Sequence, residues 1–236
     1  MQKNSMVDFT KFEKSIGVSF KNKDLLTQAY VHRSYLNENT KLGIGHNERL
    51  EFLGDAVIEL IVTDFLYKTY PDCAEGELTA YRSALVNANI IGEVATNLKM
   101  NEYLLLSKGE TRDIGKARTY ILANTFEAVV GAIYEDQGYE NAKVFVEKNL
   151  CIHINEIVKN KLWRDAKSLI QEKSQEHMSF TPVYKVISET GPDHDKHFTV
   201  GIFLGNERVA EGKGHSKQEA EQNAARGALE KKNWLD

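Results

Sequence analysis

Four acids in one short stretch of this chain have the spacing to do chemistry together. In the run from His46 to Val57 there is no Pro and a single Gly, so helix is expected from here to about Tyr70. At about 100° per residue, Glu48, Glu51, Asp55 and Glu59 fall within one narrow stripe. Leu50, Leu53, Val57, Leu60 and Ile61 fall on the other side and are expected in the core. No Lys or Arg sits within the stripe to relieve the repulsion at i+4. Two readings follow: a solvated acidic face, or carboxylates that bind a hard cation or have a raised pKa. Phe52, about 40° from Glu48, places an aromatic beside the acids, as a protein–protein contact at the rim of such a site would. A second pair, Asn124 and Glu127, is spaced i, i+3 within an expected helix over 118–137. It reads either as a local Asn-x-x-Glu capping box or as two further oxygen donors on one helix face. No His follows any of these acids at three residues, and no Cys or His accompanies them, which sets aside di-iron and zinc centres. Mg²⁺ or Mn²⁺ suits an all-oxygen set best.

The elements that must position these residues come from the rest of the pattern. With 236 residues, 42% apolar and 27% charged, the chain is long enough for one or two domains. No apolar run approaches the length of a membrane span, and the first thirty residues lack a secretion signal. Cys73 and Cys151 stand alone, without ligand spacing, and are read as small buried hydrophobes; a cytoplasmic location is expected. The net charge of −4 splits into −5 over residues 1–158 and +1 over 159–236, so any nucleic-acid binding rests on a few placed cations.

Helices are expected over 8–17, 24–31, 46–70, 75–98, 118–137 and 140–158, with a polar loop over 37–45. No strand alternation occurs before residue 158, so this region is all-helical. Residues 159–164 read as a linker. Beyond it the period changes: helix over 166–176, strands over 183–188, 198–204 and 208–213, then an Ala-rich helix over 216–232. Gly191-Pro192-Asp193 and Gly205-Asn206 are turn signals between the strands, and Ser216 with Glu219 forms a capping box. The order is α-β-β-β-α.

Asn47-Glu48-Arg49-Leu50-Glu51-Phe52-Leu53-Gly54-Asp55 resembles the signature of the ribonuclease III family over nine consecutive residues, and residues 165–233 resemble a double-stranded-RNA-binding domain. The resemblance implies an all-α endonuclease domain over 1–158, a linker over 159–164 and an α+β RNA-binding domain over 165–236. It implies a principal Mg²⁺ site of Glu51, Asp55, Asn124 and Glu127, with Asp55 and Glu127 catalytic, and Glu48 and Glu75 near a second metal or the scissile phosphate. Mn²⁺ is a possible substitute. Asn124 stands where the family has Asp, and Glu59 matches no family ligand. In the second domain the resemblance implies RNA contacts by Ser168, Gln171, Glu172, His194, Lys213, His215, Ser216 and Lys217, with Gln218 where a second Lys is usual. It further implies a homodimer with Phe52 at the interface. The reaction would be cleavage of double-stranded RNA to staggered ends with 5′-phosphates and 3′-hydroxyls, in ribosomal and messenger RNA processing. The alternative is a double-stranded-RNA-binding protein that does not cleave, with Asn124 as its support.

Overall fold

A helix that is apolar on nearly every side has to be buried, and in this chain that helix lies between residues 116 and 137. In the computed structural model, which describes residues 7–40, 43–112, 115–161, 163, 165–192 and 196–234, the chain divides into two compact units, Met1–Lys159 and Asn160–Asp236. Among the described residues the first holds nine α-helices: α1 (Thr10–Ile16), α2 (Lys23–Ala29), α3 (Arg33–Glu38), α4 (Glu48–Thr69), α5 (Glu75–Leu85), α6 (Ala88–Asn97), α7 (Lys116–Gln137), α8 (Tyr139–Asn149) and α9 (Ile154–Lys159). Along α7, Leu122, Phe126, Val129, Val130 and Ile133 are all buried.

Helix α4 crosses α7 with backbone against backbone. A Cβ added at Gly54 would lie 1.8 Å from the carbonyl oxygen of Glu127, and one added at Gly131 would lie 2.2 Å from that of Leu50. Only hydrogen fits at either position. The face of α4 that this crossing buries carries Leu50, Gly54, Val57, Ile58, Ile61, Val62 and Leu66. Leu60, expected in the core, is instead 58% exposed, because the buried arc turns toward Ile58 and Val62 and leaves Leu60 on the flank.

Other departures from the periodicity are local. The expected polar loop over 37–45 is preceded by α3, whose first turn is capped by the His32 ring accepting from the Ser34 amide. The helix expected over 75–98 is two, broken where Asn87 Oδ1 accepts from the Asn89 and Ile90 amides at 3.0 and 3.1 Å. Asn87 thus caps α6, a role an Asn inside an apolar pattern does not advertise. The stretch 140–158 is α8, a 3₁₀ turn at Cys151–His153, and α9. A parallel bridge joins Val31 to Leu105, so this helical unit also holds one backbone pairing outside its helices. Cys73 is half-buried and Cys151 buried, both as free thiols.

The second unit runs α10 (Ala166–Met178), β1 (Val183–Thr190), β2 (His197–Leu204), β3 (Glu207–Gly214) and α11 (Lys217–Lys232). The strands form an antiparallel sheet in that order, with a register shift between Val186 and Ser188 in β1. Val200, Ile202 and Leu204 alternate into the core, where Ile202 and Leu204 meet Ile170, Val209, Ala224 and Leu229. Gly205, at φ +62°, makes the tight β2–β3 connection with Asn206. Ser216 Oγ caps α11 by accepting from the Glu219 amide at 3.2 Å. The Glu219 carboxylate returns to the His215 amide at 3.0 Å rather than to that of Ser216 as a capping box would have it.

Gly131→Ala forces a methyl group into the Leu50 carbonyl, and backbone on both sides leaves no rotamer to relieve it. Such overpacking costs about 1–3 kcal/mol or more, so a clear fall in urea midpoint is expected. Gly76→Ala in α5, where an added Cβ meets nothing within 4 Å, should leave the midpoint unchanged or raise stability by up to about 1 kcal/mol. Equal midpoints for the two variants would contradict the close crossing.

Candidate active site

The backbone contact at Gly54 and Gly131 fixes which side chains of α4 and α7 share space. Glu51 and Asp55 flank Gly54 on α4; Asn124 and Glu127 lie on the α7 turns before Gly131. Asn124 and Glu127 sit in the interior of α7, so the capping-box reading is excluded. Glu51, Asn124 and Glu127 are half-buried and Asp55 is exposed. Burial, with the charges of Asp55 and then Glu51, pushes Glu127 up to about 7. Burial and the Glu48 charge raise Glu51, a hydrogen-bonding contact from Asn124 opposes that rise, and Asp55 adds to it. Glu51 and Asp55 of α4 thus act on Glu127 of α7, and Asn124 of α7 acts on Glu51, so the acidic face is not simply solvated. Among the described residues no three His, Cys, Asp or Glu side chains are grouped so that they alone could hold a metal ion.

Basic side chains reach this face from outside α4. Arg33 of α3 lies 4.0 Å from Glu48 Oε1, and His46 Nδ1 lies 3.7 Å from Glu48 Oε2. Glu59 pairs with Arg82 of α5 at 3.1 Å. The stripe thus lacks cations of its own but not cations from its neighbours, which helical spacing on one element cannot reveal. Glu75 opens α5 and is exposed, and no contact among the described residues ties it to Glu51, Asp55, Asn124 or Glu127.

Phe52 projects from the same face and is 82% exposed; Leu60 and Tyr67 (71% exposed) continue an apolar strip along α4. In the second unit Ser168, Gln171 and Glu172 are exposed together on α10. Lys213, His215 and Lys217 are exposed, and Ser216 half-buried, around the start of α11. There the His215 ring lies 4.3 Å from that of His197, and Lys217 Nζ lies 5.6 Å from the centre of the Phe198 ring. His194 lies outside the described residues. Among those residues no helix is long and apolar enough to cross a membrane. Sequence reasoning missed Gly54 and Gly131 as the joint that builds the site, though a Gly among the signature acids and another four residues after Glu127 were the available signal.

Comparison with known proteins places these observations. A family profile described as ribonuclease-III-like matches residues 22–154, and one described as a double-stranded RNA binding motif matches residues 166–232. Ribonuclease 3 of Leptospira interrogans is 43% identical over 92% of this chain and 87% of that protein. Ribonuclease 3 of Protochlamydia amoebophila is 44% identical over 92% and 89%. Among solved structures, the nuclease domain of ribonuclease III from Campylobacter jejuni matches with a TM-score of 0.55 and 38% identity, over 61% of this chain and 99% of that one. That structure is described for flexibility in a region involved in dimer formation. A helical nuclease unit whose acids meet across two helices, followed by an α-β-β-β-α unit, and these matches over nine-tenths of the sequence, lead to one conclusion: the chain belongs to the ribonuclease III family, as an endoribonuclease with a double-stranded-RNA-binding motif.

Proposed function

We propose that the chain cuts double-stranded RNA endonucleolytically, with Mg²⁺ held by Glu51, Asp55, Asn124 and Glu127, and with Mn²⁺ able to replace it. The observation that carries this reading is the close crossing of α4 and α7 at Gly54 and Gly131, which half-buries Glu127 where the charges of Asp55 and Glu51 raise its pKa. A half-buried group of like charges with only oxygen donors is a poor arrangement by itself and a good one around a hard cation. The residues therefore fit the ion. When bound, Mg²⁺ supplies Lewis acidity and neutralises charge at the reacting phosphodiester. The chain's own residues do the rest. Asp55 of α4 and Glu127 of α7 are assigned the catalytic role, which the effect of the Asp55 charge on Glu127 supports. Asn124 steadies Glu51 through its amide. Glu48 and Glu75 are assigned to a second metal or to the scissile phosphate.

Ser168, Gln171, Glu172, His194, Lys213, His215, Ser216 and Lys217 are assigned to the RNA duplex, read by shape through its minor grooves and phosphates. The exposure of the described ones supports this, since none is committed to the core. Residues 1–158 would form the nuclease domain, 159–164 the linker and 165–236 the RNA-binding domain. Staggered products with 5′-phosphates and 3′-hydroxyls, made during ribosomal and messenger RNA processing, complete the proposal. A homodimer is part of it: the exposed Phe52, Leu60 and Tyr67 strip needs covering, and the Campylobacter relative is described by its dimer region. The cytoplasm, a reducing compartment, suits two free cysteines.

Incubation with long duplex RNA, with Mg²⁺ or with EDTA, tests the reading: cleavage only with Mg²⁺ supports it, and equal cleavage in EDTA overturns it. Glu127→Gln should abolish cleavage while leaving RNA binding nearly intact. The same variant checks the acid cluster in the metal-free protein. Because the folded pKa of Glu127 is raised from the usual 4.5 to about 7, its contribution favours the fold below pH 4.5 and is lost as pH rises through 7. Parent stability measured in EDTA should fall between pH 5 and 8 more than that of Glu127→Gln; parallel curves would remove Glu127 from the cluster.

Asn124→Asp adds a charge at nearly constant volume. Ligand changes at metal sites commonly shift affinity by about 10–100-fold. The variant should lower the Mg²⁺ concentration for half-maximal cleavage, with excess Mg²⁺ or Mn²⁺ narrowing the difference. Superimposable titrations would mean residue 124 is no ligand. For the dimer, an aromatic anchor at an interface commonly contributes about 2 kcal/mol or more, so Phe52→Ala should shift sedimentation toward monomer, and a monomeric parent would sink the assignment.

A further inference from the structure

The acids described above leave a difficulty on the substrate's side. A polyanionic RNA strand has to approach a face carrying Glu48, Glu51 and Asp55, and a cation at the rim is needed where the backbone enters. Arg33 occupies that rim. Its guanidinium is 75% exposed, lies 4.0 Å from Glu48 Oε1 and makes no hydrogen bond among the described residues. At that distance and exposure the pair with Glu48 adds little to stability, so fold energetics give no reason for its placement.

The backbone under Arg33 is nevertheless fixed from both sides. On one side the Asn47 amide donates to the Val31 carbonyl at 2.9 Å, at the very start of α4. On the other the His32 amide donates to the Leu105 carbonyl at 3.0 Å, and the Ser107 amide donates to Ser34 Oγ at 3.1 Å. Arg33 is thus an exposed side chain on a backbone that is hydrogen-bonded directly to the start of the helix bearing the acids. Five N–H donors in a planar fork, with no hydrogen bond among the described residues, suit a phosphate.

We propose that Arg33 contacts a backbone phosphate of the RNA strand at the catalytic face, leaving its loose pairing with Glu48 as substrate enters. This rests on the reading of Glu48 and its neighbours as the cleavage site. The test uses the full chain, duplex RNA and EDTA, so that binding is measured apart from cleavage. Arg33→Ala should weaken binding and reduce the slope of log affinity against log salt by about 1, the loss of one phosphate contact. Arg33→Lys should keep most of the slope, and the thermal midpoint of both variants should match the parent. With Mg²⁺ present, Arg33→Ala should raise KM more than it lowers kcat. The decisive comparison repeats the binding in a Glu48→Gln background. If Arg33 touches RNA, its removal costs the same there. If it acts only by holding Glu48, the loss vanishes and the proposal falls. An unchanged salt slope, or a lowered thermal midpoint that accounts for the weaker binding, also overturns it. Parent cleavage that ignores Mg²⁺ would instead overturn the cleavage reading and leave the EDTA binding result to be judged by itself.

Discussion

Contact between the backbones of α4 and α7 is the constraint on which the nuclease unit depends. Ordinary helices are kept apart by the side chains between them, about 8–10 Å from axis to axis. At Gly54 and Gly131 there are no such side chains, and the Glu127 and Leu50 carbonyls take up the room a methyl would need. This closeness lets Glu51 and Asp55 of α4 raise the pKa of Glu127 on α7, more than seventy residues away in sequence. A wider crossing would leave two separate acidic faces, each solvated and each chemically idle.

The electrostatics of the site are divided between helices in the same way. Most paired acids of α4 meet a cation from another element: Glu48 from Arg33, Glu59 from Arg82, and Asp64 from Lys143 of α8 as well as from Lys68 on its own helix. Glu51 and Glu127 have no such partner among the described residues and carry the raised pKa values. The paired acids thus lie along α4 away from the crossing, and unpaired ones from both helices gather at it.

What was legible in the sequence follows from this division. Periodicity reports what one element does alone, so it found α4, α7, the alternating strand β2 and the cap at Ser216. The nine-residue signature marked the acids. Periodicity cannot report which helix comes to meet another, so Arg33 and Arg82 as neighbours of the stripe were not visible. Nor was the turn of the buried arc that exposes Leu60. Asn87 was missed for a different reason: its capping hydrogen bonds interrupt a run whose apolar spacing continues on both sides. The capping-box reading of Asn124 and Glu127 failed because the motif is short enough to occur in the interior of a helix.

The position of the crossing along each helix has a mechanical side. Treated as rods pivoting at Gly54 and Gly131, α4 and α7 have very unequal arms. With about 1.5 Å of rise per residue, Asp55, Glu51 and Glu127 lie within about 6 Å of the pivot, whereas Thr69 lies about 22 Å away. A change of about 10° in crossing angle would carry the end of α4 through about 4 Å but move the acids by about 1 Å or less. The long arm is the part braced by the ion pairs of Asp64 with Lys143 and of Glu59 with Arg82. The acids therefore sit near the pivot of a lever: any given change in crossing angle moves the far end of α4 about four times as far as it moves the carboxylates.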